Sequence, residues 1–140
     1  MTHKNIFLIT VLLLAAALIL SIALANGDEE THRSHYMRYQ AADELFQNRQ
    51  FDEPYKVYTE LSAIYSDAYV LELKMAVCAM NMGMWQEAIG HSRRTMELYP
   101  LLIKDEEFMD SISYSLQQIG EYEAAARIED YYYNFAALQE

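Results

Sequence analysis

The chain has 140 residues, a formal net charge of −11 at pH 7 and a single cysteine, Cys78. This length leaves room for one domain besides an N-terminal apolar run. The acidic balance disfavours nucleic acid and anionic lipid surfaces as partners, and one cysteine excludes a disulfide within the chain.

An uncharged apolar run over residues 6–25 lies near the start of the chain. It reaches the ~20 residues that a membrane-spanning helix needs and exceeds the ~7–15 of a signal-peptide core. We therefore predict that residues 1–26 form a retained signal anchor with one transmembrane helix. The small residues of Ala23-Leu24-Ala25 also suit signal peptidase. Cleavage after Ala25, which would release a secreted or periplasmic protein, is the alternative.

The charges around this run bear on its orientation. Lys4 precedes the run and Arg33 and Arg38 follow it, whereas the nearby acids contribute little to topology. The order of charge, apolar core and small residues is typical of a segment whose C-terminal side is translocated. We expect a single-pass membrane protein with a cytoplasmic N-terminus and an extracytoplasmic C-terminal domain.

We predict a polar connector over residues 27–33, followed by a helical domain over residues 34–140. His32 and His35 follow three acids and resemble a cluster of metal ligands. A connector rich in polar residues explains them without a metal, because no cysteine and no helical His-x-x-x-His accompanies them. We expect no metal and no cofactor.

Beyond the connector, apolar residues recur at helical spacing, and no segment alternates with a period of two. The fold class that we predict is all-α, with an N-terminal transmembrane helix followed by an antiparallel array of about six helices. These six helices are expected near residues 34–49, 52–65, 67–82, 85–98, 105–119 and 122–138. Asp52 and Asp105 are candidate N-caps, Gly83 and Gly120 allow turns, and Pro100 ends a helix.

Three stretches of this domain repeat one pattern, in which a small residue precedes an aromatic by nine positions. The pairs are Ala42 and Phe51, Ala76 and Trp85, and Ser113 and Tyr122. A spacing of about 34 residues in helical sequence is typical of helix–turn–helix repeats, which need about three units for stability.

The second stretch resembles the tetratricopeptide repeat through Ala76, Gly83, Trp85, Ala88 and Pro100. The resemblance implies close helix packing at the small residues, a tight turn at the glycine and an aromatic that opens the second helix. The third stretch keeps four of these features, at Ser113, Gly120, Tyr122 and Ala125. The first stretch keeps Ala42 and Phe51 but has Arg49 at the turn and Pro54 at the second small position.

The resemblance also implies a protein-binding groove along the first helix of each repeat. Its positions correspond to Tyr36, Tyr39, Asp43, Phe46 and Gln47, to Val70, Leu73, Val77, Met80 and Asn81, and to Glu107, Asp110, Tyr114, Gln117 and Gln118. This surface is apolar at one end and acidic at the other, and these positions include no lysine or arginine. We expect it to bind an apolar or basic-aromatic segment of a protein. The alternative is that some of these residues pack between helices.

The last predicted helix carries Tyr131, Tyr132, Tyr133 and Phe135. Successive helical residues lie about 100° apart, so three adjacent tyrosines cannot all face the core. A repeat array also needs a polar terminal face. We expect this end to be a second contact surface, for self-association or for a larger partner, with simple capping of the array as the alternative.

Signals of catalysis are missing from the sequence. It has no glycine-rich phosphate loop, no Gly-x-Ser-x-Gly elbow and no nucleophile with an evident base. We predict that Cys78 is a buried apolar residue and that His91 is an isolated surface or packing residue. We predict a membrane-tethered adaptor for protein–protein interactions, not an enzyme; the alternative is a structural accessory subunit of a larger membrane complex.

Overall fold

Six α-helices and one 3₁₀ turn make up the part of the chain that the structure describes. The structure is a computed structural model that describes residue 21 and residues 27–137, with side chains as far as residue 132. The helices are α1 (residues 27–47), α2 (Asp52–Ile64), α3 (Tyr69–Asn81), α4 (Trp85–Leu98), α5 (Glu106–Gln118) and α6 (Tyr122–Ala137). The 3₁₀ turn, Pro100–Lys104, lies between α4 and α5, and these residues contain no strand. The all-α prediction is thus confirmed for them.

The chain divides into two compact units, Met1–Arg38 and Tyr39–Glu140. In the first unit, residues 27–33, which were predicted to be a polar connector, are helical. Their glutamates and arginine favour helix, and no proline interrupts them. The predicted membrane segment, residues 6–25, lies outside the described residues except for Ser21. Among the described residues, no helix combines the length and the apolar character needed to cross a bilayer.

The helices of the second unit pack in chain order, α2 on α3, α3 on α4, α4 on α5 and α5 on α6. The small residues of the repeated pattern are all buried, namely Ala42, Ala76 and Ser113 in the first helix of each pair and Ala88 and Ala125 in the second. Small buried side chains let neighbouring helices approach closely. This arrangement is consistent with a tetratricopeptide-like repeat array.

The turns within the three helix pairs share a left-handed residue. Gly83 and Gly120 have φ of 73° and 83°, and Arg49 has φ of 58° at the corresponding place in the first pair. The first repeat therefore keeps the turn conformation without the glycine.

Asp105 caps α5 as predicted, accepting a hydrogen bond from the Phe108 amide at 2.9 Å. Asp52 does not cap α2; it lies inside the helix and pairs with a lysine one turn later.

Two clusters of buried side chains hold the array together. The first lies around Tyr58, Leu61 and Met75 of α2 and α3, and the second around Phe108, Met109 and Ile112 of α5. Apolar residues of the 3₁₀ turn pack against the second cluster. The 3₁₀ turn therefore belongs to the packed part of the domain, where it contacts α4, α5 and α6 and helps to position α5 against α4.

Gly83 and Gly90 offer a matched pair of substitutions. An added Cβ would meet no atom within 4 Å at either position, so only the backbone conformation differs. Gly83→Ala should lower the free energy of unfolding by about 1–2 kcal/mol, because alanine is strained at positive φ. Gly90→Ala, inside α4, should raise it by about 0.5–1 kcal/mol, because glycine weakens a helix interior. Urea unfolding of both variants checks that the free energy of unfolding falls in Gly83→Ala and rises in Gly90→Ala. Equal changes in the two variants would contradict the left-handed conformation of Gly83.

Candidate binding groove

An open groove lies between α3 and α5, over the 3₁₀ turn. Its cavity measures about 320 Å³. The residues that line it are Leu73, Ala76, Val77, Met80, Ser92, Leu102, Asp105, Glu107, Phe108 and Ser111. Four of them, Leu73, Val77, Met80 and Glu107, belong to the predicted binding surface. The groove thus brings together predicted residues from the second and third repeats.

The floor of the groove is a single stripe of α3. Leu73, Val77 and Met80 are four and three positions apart, which places them on one side of a helix. All three side chains are half-buried, so each leaves apolar surface accessible. Leu73 also packs against the second buried cluster, whereas Val77 and Met80 are in neither cluster. The last two are therefore the residues that can be changed with the least effect on the core.

The rim of the groove is acidic. Asp105 and Glu107 line it at the N-terminal end of α5, where the helix dipole favours negative charge. No lysine or arginine lines this cavity among the described residues. An apolar floor beside two carboxylates, with no basic side chain among the described lining residues, suits a ligand that combines an apolar side chain with a positive charge.

Several residues that line the groove were not predicted from the sequence. Ser92 comes from α4, Leu102 from the 3₁₀ turn, and Phe108 and Ser111 from α5. None of these positions belongs to the groove set that the family resemblance implies. The apolar run after Pro100 was the available signal for Leu102, because such a run between helices indicates a segment that packs against the domain.

The aromatic end of the predicted surface is occupied by a lysine. Lys74 of α3 forms an ion pair with Asp43, and its ammonium nitrogen lies 4.5 Å from the ring centroid of Phe46. The rings of Tyr39 and Tyr58 lie 5.8 and 5.9 Å from the same nitrogen. Cations at such distances are attracted to aromatic rings, and the Lys74 side chain is only 17% exposed.

This arrangement brings a positive charge to the aromatic end of the predicted surface, although none of the predicted positions is a lysine or arginine. Lys74 is not one of the groove positions that the resemblance implies, but its long side chain reaches α1 from α3. Asp43 is therefore neutralised within the domain, and Tyr39 and Phe46 pack against the first buried cluster. At this end the alternative interpretation, packing between helices, is the better description.

Tyr58 is the central aromatic side chain of this end. It is 0% exposed, and its hydroxyl donates a 3.4 Å hydrogen bond to Asp43 Oδ1. Burial, followed by the charge of Asp43, raises the pKa of Tyr58 well above its ordinary value. The phenol therefore remains a hydrogen-bond donor under all ordinary conditions.

The remaining predicted groove residues are mainly exposed. Tyr36 is exposed in the first unit, and Gln47, Val70, Asn81, Asp110, Tyr114 and Gln118 are exposed in the second. Asn81 donates a hydrogen bond to the Val77 carbonyl of its own helix, and the Tyr114 ring packs edge-on against Trp85. Gln117 is turned towards α6, where its amide donates to Glu129 at 3.3 Å. None of these residues lines the α3–α5 cavity.

The tyrosines of α6 differ in their surroundings. Tyr131 is 55% exposed, whereas Tyr132 is half-buried against the second cluster. Tyr133 and Phe135 lie beyond the residues whose side chains are described. The exposed ring of Tyr131 lines a separate cavity.

His91 is part of a small polar network and is not isolated. Its Nδ1 lies 2.8 Å from Glu72 Oε2, and its Nε2 is hydrogen-bonded to the Tyr55 hydroxyl at 3.0 Å. These contacts join α2, α3 and α4. Burial, followed by the charge of nearby acids, raises the pKa of Tyr55, which makes this hydroxyl a poor nucleophile.

Cys78 is fully buried beside Met75 in the first cluster. Burial raises the pKa of its thiol to about 11, which keeps it protonated near neutral pH and unreactive. Within the described residues, no group of three His, Cys, Asp or Glu side chains could hold a metal ion.

The comparisons with known proteins concern the fold. The sequence matches no protein-family model and no curated protein. Solved structures of MamA, a tetratricopeptide-like helical repeat protein, share the arrangement of helices. "MamA MSR-1" superposes with a TM-score of 0.66 at 16% identity, covering 76% of this chain and 59% of that chain. A MamA mutant superposes with a TM-score of 0.64 at 16% identity, covering 72% of each chain.

A further MamA crystal structure has a TM-score of 0.62 at 15% identity, covering 70% of this chain and 52% of that chain. This chain thus spans between about half and three quarters of the length of these proteins. At such low identity the similarity establishes a tetratricopeptide-like fold and leaves the function to be argued from the site.

Proposed function

We propose that the protein is a membrane-tethered adaptor that binds a segment of another protein in the groove between α3 and α5. The observation that carries this proposal is the cavity itself, with an apolar stripe on α3 and carboxylates at the start of α5. Such a surface offers contact area to a side chain, and the described residues that line it include no histidine, no cysteine and no glycine-rich loop. The protein acts by binding, without catalysis.

The chemistry of the groove defines the ligand. Val77 and Met80 offer apolar contact, and methionine adapts its shape to different partners. Asp105 and Glu107 stand where a lysine or arginine of the ligand would form an ion pair. The ligand is therefore a peptide segment with an apolar or aromatic residue next to a basic one. Its backbone is extended or helical.

The experiment is capture of partners by the full-length chain from extracts made in mild detergent, followed by mass spectrometry. The groove variant Val77→Glu/Met80→Glu is compared with the wild-type chain. Proteins that are captured by the wild-type chain but not by the groove variant are ligands of the groove. If both chains capture the same proteins in the same yield, the groove is not the binding site.

The apolar run near the N-terminus supports a membrane anchor with the helical domain outside the cytoplasm. We expect the intact chain to stay in the membrane fraction after a carbonate wash. Leu14→Arg should shift it to the soluble fraction, because a charge at mid-span costs roughly 2.5–3.5 kcal/mol of insertion free energy. As a control, mass spectrometry of the mature protein shows whether the N-terminal segment has been cleaved. A soluble species that begins at Asn26 would contradict tethering and indicate a secreted binding protein.

A further inference from the structure

A second cavity lies between α4 and α6, the second helices of neighbouring repeats. It measures about 380 Å³ and is distinct from the groove, because no residue lines both cavities. α4 and α6 each pack on α5 and make few contacts with each other. The result is an open cleft whose floor is formed by Ile112 and Leu116 of α5. We call it the α4–α6 cleft.

The walls of the cleft are stripes of two helices. Arg93 and Met96 face it from α4, three positions apart, and Arg127, Ile128 and Tyr131 face it from α6 over four positions. Spacings of three and four place residues on one side of a helix. The cleft therefore has an apolar floor, mainly apolar walls and one arginine on each side.

Both arginines are available to a ligand. Arg93 and Arg127 are exposed, and neither side chain forms an ion pair or hydrogen bond within the described part of the chain. Two cations of the same unit are instead paired within the domain, Lys56 with Asp52 and Arg94 with Glu97. Among the residues whose side chains the structure describes, no acid lines the cleft. In a chain of net charge −11, two unpaired guanidinium groups on one cavity form a local site for negative charge.

We propose that the α4–α6 cleft binds an acidic segment of a protein partner. An apolar side chain of the segment rests on Ile112 and Leu116, and flanking carboxylates pair with Arg93 and Arg127. Arginine suits this role because its planar group can bind a carboxylate through two hydrogen bonds. The negative charge of the rest of the chain repels an acidic segment only weakly, because salt at 0.15 M screens exposed charges beyond about 8 Å.

The openness of the cleft favours a peptide over a small amphiphile. Small-molecule sites bury most of the ligand surface, whereas this cleft is open to solvent along α4 and α6. A peptide can lay one side chain on the floor and continue across the rim. Tyr131 adds an exposed aromatic ring with a hydroxyl, a combination common in protein interfaces.

The test begins with a library of random 12-residue peptides displayed on phage and selected on the full-length chain in mild detergent. We expect enrichment of sequences in which Asp or Glu flanks Leu, Ile or Phe. A synthetic peptide of the enriched sequence should bind the double variant Arg93→Gln/Arg127→Gln at least about tenfold more weakly than the wild-type chain. Fluorescence anisotropy measures both affinities.

Arg94→Gln is the matched control. It removes the same charge from the same helix, but Arg94 does not line the cleft, so binding should stay within about twofold of the wild type. Replacing the acids of the peptide by Asn and Gln should weaken binding to the unaltered protein by a similar tenfold. This measurement does not depend on the folding of any variant.

Other results would overturn the proposal. Selection of peptides without acids, or equal binding to the double variant, would exclude the arginines as the site. Loss of binding in Val77→Glu/Met80→Glu would move the peptide to the groove. Stronger competition by dodecanoate than by the peptide would indicate a lipid site. Self-association that disappears in the double variant would indicate a second copy of the chain as the occupant.

Discussion

The groove variant Val77→Glu/Met80→Glu should reduce partner capture by more than about tenfold while the helical content stays unchanged. Two carboxylates on the apolar stripe would have to lose water when a ligand covers them, and an unpaired buried charge is costly. They would also lie beside the acidic rim formed by Asp105 and Glu107. Both substituted residues are half-buried and outside the two core clusters, so the fold should tolerate the change.

The choice of Val77 in place of Leu73 follows from packing. Leu73 lines the same cavity, but it also contacts the cluster around Phe108, so its replacement would test stability and binding together. A matched control is Ile64→Glu/Leu101→Glu, which adds the same two charges at positions that are 55% and 57% exposed and outside the groove. The control should capture partners as the wild type does. Equal loss in both double variants would attribute the effect to net charge and not to the groove.

Tyr58→Ala should cost about 3–5 kcal/mol of the free energy of unfolding, the range typical of removing a large buried aromatic side chain. Tyr58 is fully buried, and its ring lies 5.8 Å from Tyr39 and 6.3 Å from Phe46, between centroids. The same rings surround the ammonium of Lys74. Removal of Tyr58 would open a cavity and take away one face of this aromatic enclosure. Domains are commonly stable by only about 5–15 kcal/mol, so the loss is large.

Tyr58→Phe separates packing from hydrogen bonding. It keeps the ring and removes the hydroxyl that donates to Asp43 at 3.4 Å, a long bond, so we expect a loss of about 1 kcal/mol or less. Urea denaturation of the full-length chain, followed by circular dichroism, compares the three proteins. A small effect of the alanine variant, within about 1 kcal/mol of the wild type, would mean that this end of the array is not a packed core.

The α3–α5 groove and the α4–α6 cleft are lined by charged side chains of opposite sign. The groove on α3 and α5 has an acidic rim, whereas the α4–α6 cleft carries two arginines. They therefore suit ligands of opposite charge, and the two can bind without competing for the same residues.

The sequence alone determined the helical pattern of this protein. The spacing of Ala42, Ala76 and Ser113 before their aromatics predicted three helix pairs, and the turns fall where Gly83 and Gly120 indicated. Such features depend on residues near one another in the chain, because helix propensity, capping and turn conformation are local properties. The helical repeat and most of its boundaries could therefore be predicted.

The tertiary structure decided which of the predicted surface residues are available. Lys74 comes from α3 to pair with Asp43 of α1, and the aromatic end of the surface is closed by that contact. Arg93 and Arg127 come from different helices to line one cleft, although nothing in their separate sequence contexts connects them. Long side chains reach neighbouring helices, and such contacts cannot be predicted from the spacing of residues in the sequence. The charge and accessibility of a surface built from several helices therefore depend on how those helices pack.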